Sequence, residues 1–292
     1  MIIVKLMGGL GNQLFQYAVG RCLSQLHNTE LRLDRSYLDA DPNGAYTRRD
    51  YELGVFTIDP VFATAEDTKP FLRKSKNKVI RTLSRKLPIL FDKLYIAERG
   101  HAFHKEFMSY PENTYLDGFW QSELYFKLAE DTIRKDLQFK TPAQGLNAEY
   151  LQKIKNTNSV SLHVRRADYI SDSATNTYHG TCSIDYYKQA VELIGEKNPD
   201  LVLYVFSDDI PWCMENLRLE FPHHYISHNS GKNSFEDLRL MSNCRHHIIA
   251  NSSFSWWGAW LDGNKDKTVI APERWFTQAI NPDIYPEIWI RI

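Results

Sequence analysis

The sequence predicts an α/β protein built from two Rossmann-like domains facing across a cleft. Three observations carry this reading. A strand, a glycine turn, a helix and a second strand open the chain; the same grammar returns with more repeats from residue 159; and a polar stretch around TPAQG (141–145) lies between the two halves. A chain of 292 residues has room for two domains of ordinary size, expected here as 1–150 and 151–292.

Residues 2–7 (IIVKLM) form a short β-branched and apolar run, read as a strand, and glycines at 8, 9 and 11 turn the chain. Leu14, Phe15, Tyr17, Ala18, Cys22, Leu23 and Leu26 then recur every three or four residues, which gives a helix one buried stripe. ELRLD (30–34) reads as the next strand of a βαβ unit. In the second half VSLHV (160–164), LVLYVF (201–206), HHYIS (223–227), HIIAN (247–251) and KTVIA (267–271) are apolar runs of strand length. Between several of them DYYKQAVELIGEK, PWCMENLRLEF, SFEDLRLMSNC and FSWWGAWL have helical character. Apolar strands alternating with helices predict a parallel sheet covered on both faces.

Lys plus Arg is 35 and Asp plus Glu is 36, so no global field draws nucleic acid or an anionic membrane, and any anion site must be local. The four cysteines are far apart, without a CxxC pair or a His at zinc spacing, which predicts reduced thiols and no structural metal. The N-terminal apolar run is too short for a signal segment, and no run reaches the ~18 apolar residues of a membrane span. A soluble cytoplasmic protein is expected, in which the sequon Asn251-Ser252-Ser253 is idle. No feature specifies an oligomeric state. One segment breaks the charge balance: residues 69–99 hold ten Lys or Arg against two acids, with Val79, Ile80, Leu83, Leu87, Leu90, Phe91 and Leu94 as an apolar stripe. It reads as a basic amphipathic helix packed on the first domain, with peripheral contact to the inner face of an anionic membrane as the alternative.

Four polar clusters sit at the ends of expected strands, where open α/β sheets bind ligands. His163-Val164-Arg165-Arg166-Ala167-Asp168 puts two adjacent guanidiniums where the strand 160–164 ends. Their planar forks suit a diphosphate, with one arginine facing the ligand and the other paired internally, for instance with Asp168; the bland reading is an Arg–Asp pair tying a loop. Ser252 and Ser253 lie at a strand-to-helix turn, where free amides and the helix dipole favour phosphate oxygens, although a serine there is also an ordinary N-cap. Trp256, Trp257 and Trp260 read as core packing. Ser207-Asp208-Asp209 ends another strand and offers carboxylates to guanine, to ribose or to a metal, or simply caps the next helix. Gly8-Gly9-Leu10-Gly11-Asn12-Gln13 allows close backbone approach and brings two amides to its turn, but supports neither a dinucleotide fingerprint nor a P-loop. Together the four point to a cleft for a nucleoside diphosphate.

GGLGNQLFQYA (8–18), HVRRADY (163–169), FSDD (206–209) and ANSSFSWWGAWL (250–261), with GFWQSELYF (118–126), resemble the α-1,2-fucosyltransferase family, glycosyltransferase family 11, nearly end to end. HxRRxD alone is shared with fucosyltransferases making α-1,6 and protein O-linked fucose. The resemblance implies a GT-B-like fold and inverting transfer of L-fucose from GDP-β-L-fucose to the 2-hydroxyl of a terminal β-galactoside, with no bound metal or other cofactor. It implies an acceptor-side first domain and a donor-binding second domain. Arg165 would contact the β-phosphate and His163 would line the donor site. Arg166 would accompany them, and Asp208 or Asp209 would meet the guanine. Ser252, Ser253 and Phe254 would shape the diphosphate pocket, with Asn12 and Gln13 reaching in from the facing domain. Animal members carry an N-terminal membrane anchor that this sequence lacks, which fits a bacterial-type cytoplasmic enzyme.

Negative charge grows on the departing GDP, and a guanidinium at 165 beside a helix start at 253 can supply the potential that a metal provides elsewhere. Asp39-Ala40-Asp41 matches the Asp-x-Asp of metal-dependent GT-A enzymes, a pattern short enough to arise by chance. Inversion calls for a base opposite the leaving group: Asp168 is nearest in sequence and Glu123 the runner-up. Trp120 is a candidate for stacking on the acceptor sugar, with core packing as the competing role. The alternatives are a GT-A-type metal-dependent transferase, and a GDP-sugar or glycan-binding module without turnover.

Overall fold

The computed structural model describes residues 1–40, 49–75, 93–166, 180–277 and 282–292. They form two compact units, Met1–Lys140 with Pro282–Ile284, and Thr141–Asn281 with Tyr285–Ile292. The helix Gly145–Lys155, which straddles the boundary expected at 150, belongs to the second unit: Ile154 is buried there against Tyr204 and Phe206, with Tyr150 and Leu151 beside it.

The first unit holds β1 (Ile2–Lys5), β2 (Leu31–Asp34), β3 (Val61–Phe62), β4 (Leu94–Ala97) and β5 (Thr114–Asp117) in one parallel sheet of order β3-β2-β1-β5-β4. The helix Leu10–Leu26 follows β1 and buries Leu14, Phe15, Tyr17, Ala18, Cys22 and Leu23 of the predicted stripe, whereas Leu26, expected in it, ends the helix exposed, beyond the last buried turn. It begins four residues before that stripe, because the Asn12 and Gln13 amides already bond the Gly9 carbonyl. The helix expected over 69–99 is corrected at its end: Leu94–Ala97 is a strand paired with β5, Leu94 and Ile96 being buried. Its start forms part of the helix Ala65–Ser75, and residues 76–92 lie outside the described residues. Among the described residues no helix is long and apolar enough to cross a membrane.

The second unit holds β6 (Asn158–Val164), β7 (Leu201–Ser207), β8 (His223–Ile226), β9 (His246–Ile248), β10 (Val269–Ala271) and β11 (Ile290–Arg291), all parallel, in the order β11-β10-β9-β6-β7-β8. Counted from its own first strand this is 6-5-4-1-2-3, the doubly wound order. β7 shows why the run LVLYVF is apolar throughout. Leu201, Leu203 and Val205 pack in one layer with Val160, Leu162 and Val164, while Tyr204 and Phe206 pack in the other with Ile226, Leu240 and Met241. Both faces are covered, so period-two alternation leaves no polar position. The helix expected over PWCMENLRLEF is shorter, Ile210–Asn216. Leu217, Leu219 and Phe221 still pack on the core from irregular chain, so their spacing records burial rather than helix.

Candidate active site

Strand order in the second unit reverses at β6: the chain goes first to β7 and β8 on one side, then returns to β9, β10 and β11 on the other. Ligands of open α/β sheets bind outside the carboxyl ends of the strands at such a switch point. Here those ends deliver Arg165 and Arg166 after β6, and Asn251, Ser252 and Ser253 after β9.

His163 lies on the face of β6 that also carries Ser159 and Ser161, opposite the apolar Val160, Leu162 and Val164. It is 5% exposed, and its ring centre lies 6.1 Å from that of Phe254 at the start of the helix Ser253–Leu261. Strand end and helix start thus meet at these two rings. Burial holds the imidazole down to about 4, against the pull of Asp208 and with the help of Arg165, so the ring is neutral near pH 7. Its Nδ1 has no hydrogen-bond partner among the described residues.

Both arginines are met by the acids at the end of β7, which pairs with β6 in the register Val164 to Ser207. Arg165 Nη1 lies 3.1 Å from Asp208 Oδ2, and the Arg166 amide donates to Asp208 Oδ1 at 2.9 Å. Arg166 Nε lies 3.6 Å from Asp209 Oδ2, and its guanidinium stands 4.2 Å from the centre of the Trp212 ring. The other Asp209 oxygen caps the helix Ile210–Asn216 through the Trp212 amide at 3.2 Å. The arginines find their carboxylate partners on β7, and Asp168 lies outside the described residues. Asp208 and Asp209, expected at the guanine, have oxygens engaged in holding arginines and a helix start. The Arg165 and Arg166 side chains remain about a quarter exposed, so an anion can still reach them.

On the β9 side, Asn251 Nδ2 donates to the carbonyls of Gly180 (3.0 Å) and Trp275 (3.3 Å), which fixes the turn. Ser252 occupies the N-cap position of the helix Ser253–Leu261, yet its side chain makes no capping bond. Trp256 N donates to the Ser252 carbonyl at 3.0 Å, so the amides of residues 253–255 precede the first intrahelical bond and give an anion a cluster of donors at the positive end of the helix. Trp256, Trp257 and Trp260 are buried in the core. A Ser161–His247–Asp262 chain, with contacts of 2.8 and 3.1 Å, mimics a hydrolytic triad; all three residues are less than a tenth exposed, so it ties the interior rather than meeting substrate.

The structure adds one carboxyl group near a strand end that the sequence did not single out, Asp237. Beyond the carboxyl end of β8, Asn229 Nδ2 donates to Asp237 Oδ1 at 2.7 Å and to Asn147 Oδ1 at 2.9 Å, and burial pushes the Asp237 carboxyl up to about 7. An acid in the first turn of a helix reads as an ordinary dipole partner, and nothing local marks it as half-buried beside Asn229.

In the first unit, Gly8 takes φ +73°, and a side chain there would strike Asn12. Gln13 is fully buried: its Nε2 donates to the Gly8 carbonyl (2.9 Å) and the Asp50 carbonyl (2.8 Å), and its Oε1 accepts the Glu52 amide (2.9 Å). It builds the turn and presents no group outward, contrary to expectation. Asn12 is partly exposed and accepts Gln121 Nε2 at 2.9 Å. Trp120 is fully buried against His104 and Tyr125, which leaves no face for a sugar. Glu123 is half-buried at the start of a 3-10 turn. Asp39 pairs with Arg35 at 2.9 Å, and Asp41 lies outside the described residues. Among the described residues no three His, Cys, Asp or Glu are grouped to hold a metal ion.

Known proteins resemble this chain in sequence and in fold. The glycosyl transferase family 11 model matches residues 52–292. An alpha-1,2-colitosyltransferase of Escherichia coli is 36% identical over 304 residues, covering 100% of this chain and 99% of the relative. The O-antigen biosynthesis glycosyltransferase WbnK of Escherichia coli is 34% identical over 307 residues, with 98% and 99% covered. Among solved structures, the alpha-1,6-fucosyltransferase NodZ soaked with GDP-fucose superposes with a TM-score of 0.52 at 16% identity, covering 89% of this chain and 91% of that one. A mutant of Arabidopsis thaliana FUT1 in complex with GDP gives 0.54 at 13% identity, covering 98% and 74%. The structures bear on the fold, which is α/β and GT-B-like. The sequence relatives, with the family model covering most of the chain, establish that this protein belongs to glycosyl transferase family 11.

Proposed function

We propose that the protein is an inverting, metal-independent transferase that moves L-fucose from GDP-β-L-fucose to the 2-hydroxyl of a terminal β-galactoside. The observation that carries this is the β6/β9 switch point, where Arg165 and an N-terminal helix amide cluster share one sheet edge. Relatives named for α-1,2 transfer of fucose and colitose support the linkage.

In the reaction the bond from fucose C1 to the β-phosphate oxygen breaks and its electron pair leaves with GDP. The new bond from the acceptor O2 to C1 forms on the opposite face, and the acceptor proton passes to a base, with Asp168 first and Glu123 second as candidates. Arg165 and the amides at 253–255 stabilise the departing diphosphate as its charge grows. Asp208 and Asp209 aim the two arginines, and His163, being neutral, offers hydrogen bonds without adding charge beside them. With the β7 acids so engaged, Asp237 is the carboxyl assigned to the guanine N1 and N2 hydrogens. The colitosyltransferase relative favours a second donor, GDP-colitose, which lacks the 3-hydroxyl of fucose.

The test is transfer from GDP-fucose and from GDP-colitose to lactose in EDTA. The reading requires a trisaccharide from the fucosyl donor and its loss in Arg165→Ala. Activity that EDTA abolishes and manganese restores favours the metal-dependent alternative. GDP binding with no product from any galactoside leaves a binding module.

A further inference from the structure

Residues 118–122, which follow β5 at the carboxyl edge of the first sheet, are held more tightly than a connection requires. Glu98 lies just beyond β4, and its carboxylate accepts the amides of Phe119 at 2.6 Å and Trp120 at 3.0 Å. Gly118 passes so close that a Cβ there would lie 2.7 Å from Glu98 Oε2 and nearer still to its Cβ. The Gly118 carbonyl accepts Gln16 Nε2 at 3.1 Å, Gln121 reaches Asn12, and the Ser122 amide bonds the Trp120 carbonyl at 2.8 Å. Trp120 takes φ +55°, a left-handed conformation that bulky side chains avoid. Such strain persists where its surroundings over-determine it, and it clusters at functional sites.

The outcome of this arrangement is one exposed ring. Trp120 turns wholly inward, whereas Phe119 stands 42% exposed on a backbone fixed from both sides. A phenyl face in water on a rigid support is suited to the C–H face of a sugar, and galactose offers one across C3, C4 and C5.

We propose that Phe119 is the stacking platform for the terminal galactose of the acceptor, a specificity-determining residue of the first unit. This rests on the galactoside-acceptor reading above. Trp120, the aromatic residue the sequence singled out, acts by forcing its neighbour outward.

The test is initial-rate kinetics with GDP-fucose and whichever of lactose, lacto-N-biose and N-acetyllactosamine the wild-type protein uses best. Phe119→Ala is expected to raise the acceptor KM at least tenfold while kcat changes less than threefold, and Phe119→Trp to return KM to within threefold of wild type. Melting temperature and GDP affinity by calorimetry are expected to stay unchanged in both. Leu26→Ala, an exposed apolar site at the far end of its helix, controls for loss of surface and should leave KM as it was. An unchanged acceptor KM in Phe119→Ala, or a rise matched by a fall in melting temperature or GDP affinity, overturns the platform. Absence of product from the wild-type protein with all three acceptors overturns the underlying functional reading instead.

Discussion

Acidifying the protein tests the neutral state of His163. In the folded chain burial keeps this imidazole near 4, whereas in the unfolded chain it titrates at its ordinary value near 6.5. Between those values only the unfolded state takes up the proton, so this histidine's contribution to stability is whole above about pH 6.5 and is lost as pH falls toward 4. At about 1.36 kcal/mol per pKa unit, the drop from pH 7.5 to pH 4.5 is about 2–3 kcal/mol. His247, also buried with a depressed pKa, adds its own slope, so the measurement must be a difference. Urea denaturation of wild type and His163→Gln at both pH values isolates the His163 share, and the variant should lose about 2–3 kcal/mol less on acidification. An identical pH dependence in the two proteins would refute a neutral, buried imidazole beside Arg165.

Two further outcomes follow from packing and capping. Gly118→Ala drives a methyl group into Glu98 and should cost about 1–3 kcal/mol, visible as a fall of several degrees in the melting of the first unit. Asp209→Ala removes the cap of the helix Ile210–Asn216 and should cost about 1 kcal/mol by denaturation, whereas Asp209→Asn, which keeps an acceptor for the Trp212 amide, should recover most of it. The longer, partly exposed Arg166–Asp209 pair adds little to either figure.

The second unit was legible in the sequence because its central strands are buried on both faces and read as largely apolar runs of five or six residues. The first unit was legible only as far as β1, its helix and β2. β3 has two residues, both exposed, and β4 hides in a stretch whose charge and spacing resemble a helix. In the site, the two arginines announced themselves, since charge at the end of an apolar strand needs a partner. Which partner they take depends on the lateral register of β6 against β7, and a linear pattern does not contain it. Gln13 looked like a ligand-facing amide until Asp50 and Glu52, 37 and 39 residues away, came to meet it. Phe119 and Trp120 are adjacent aromatics whose roles are divided by a single backbone angle.

The crevice between β6 and β9 has a kinetic consequence. Ser161 reaches His247 across 86 residues, so the donor site proposed here would be assembled by closing a long loop, after the nearer β6–β7 pairing has become possible. A growing chain carries its arginines well before it carries the amides that complete the site. A nucleotide bound across the two as proposed would clasp the least local pairing among the described strands of this sheet, and at a hundred times its dissociation constant it would hold the clasp shut with about 2.7 kcal/mol.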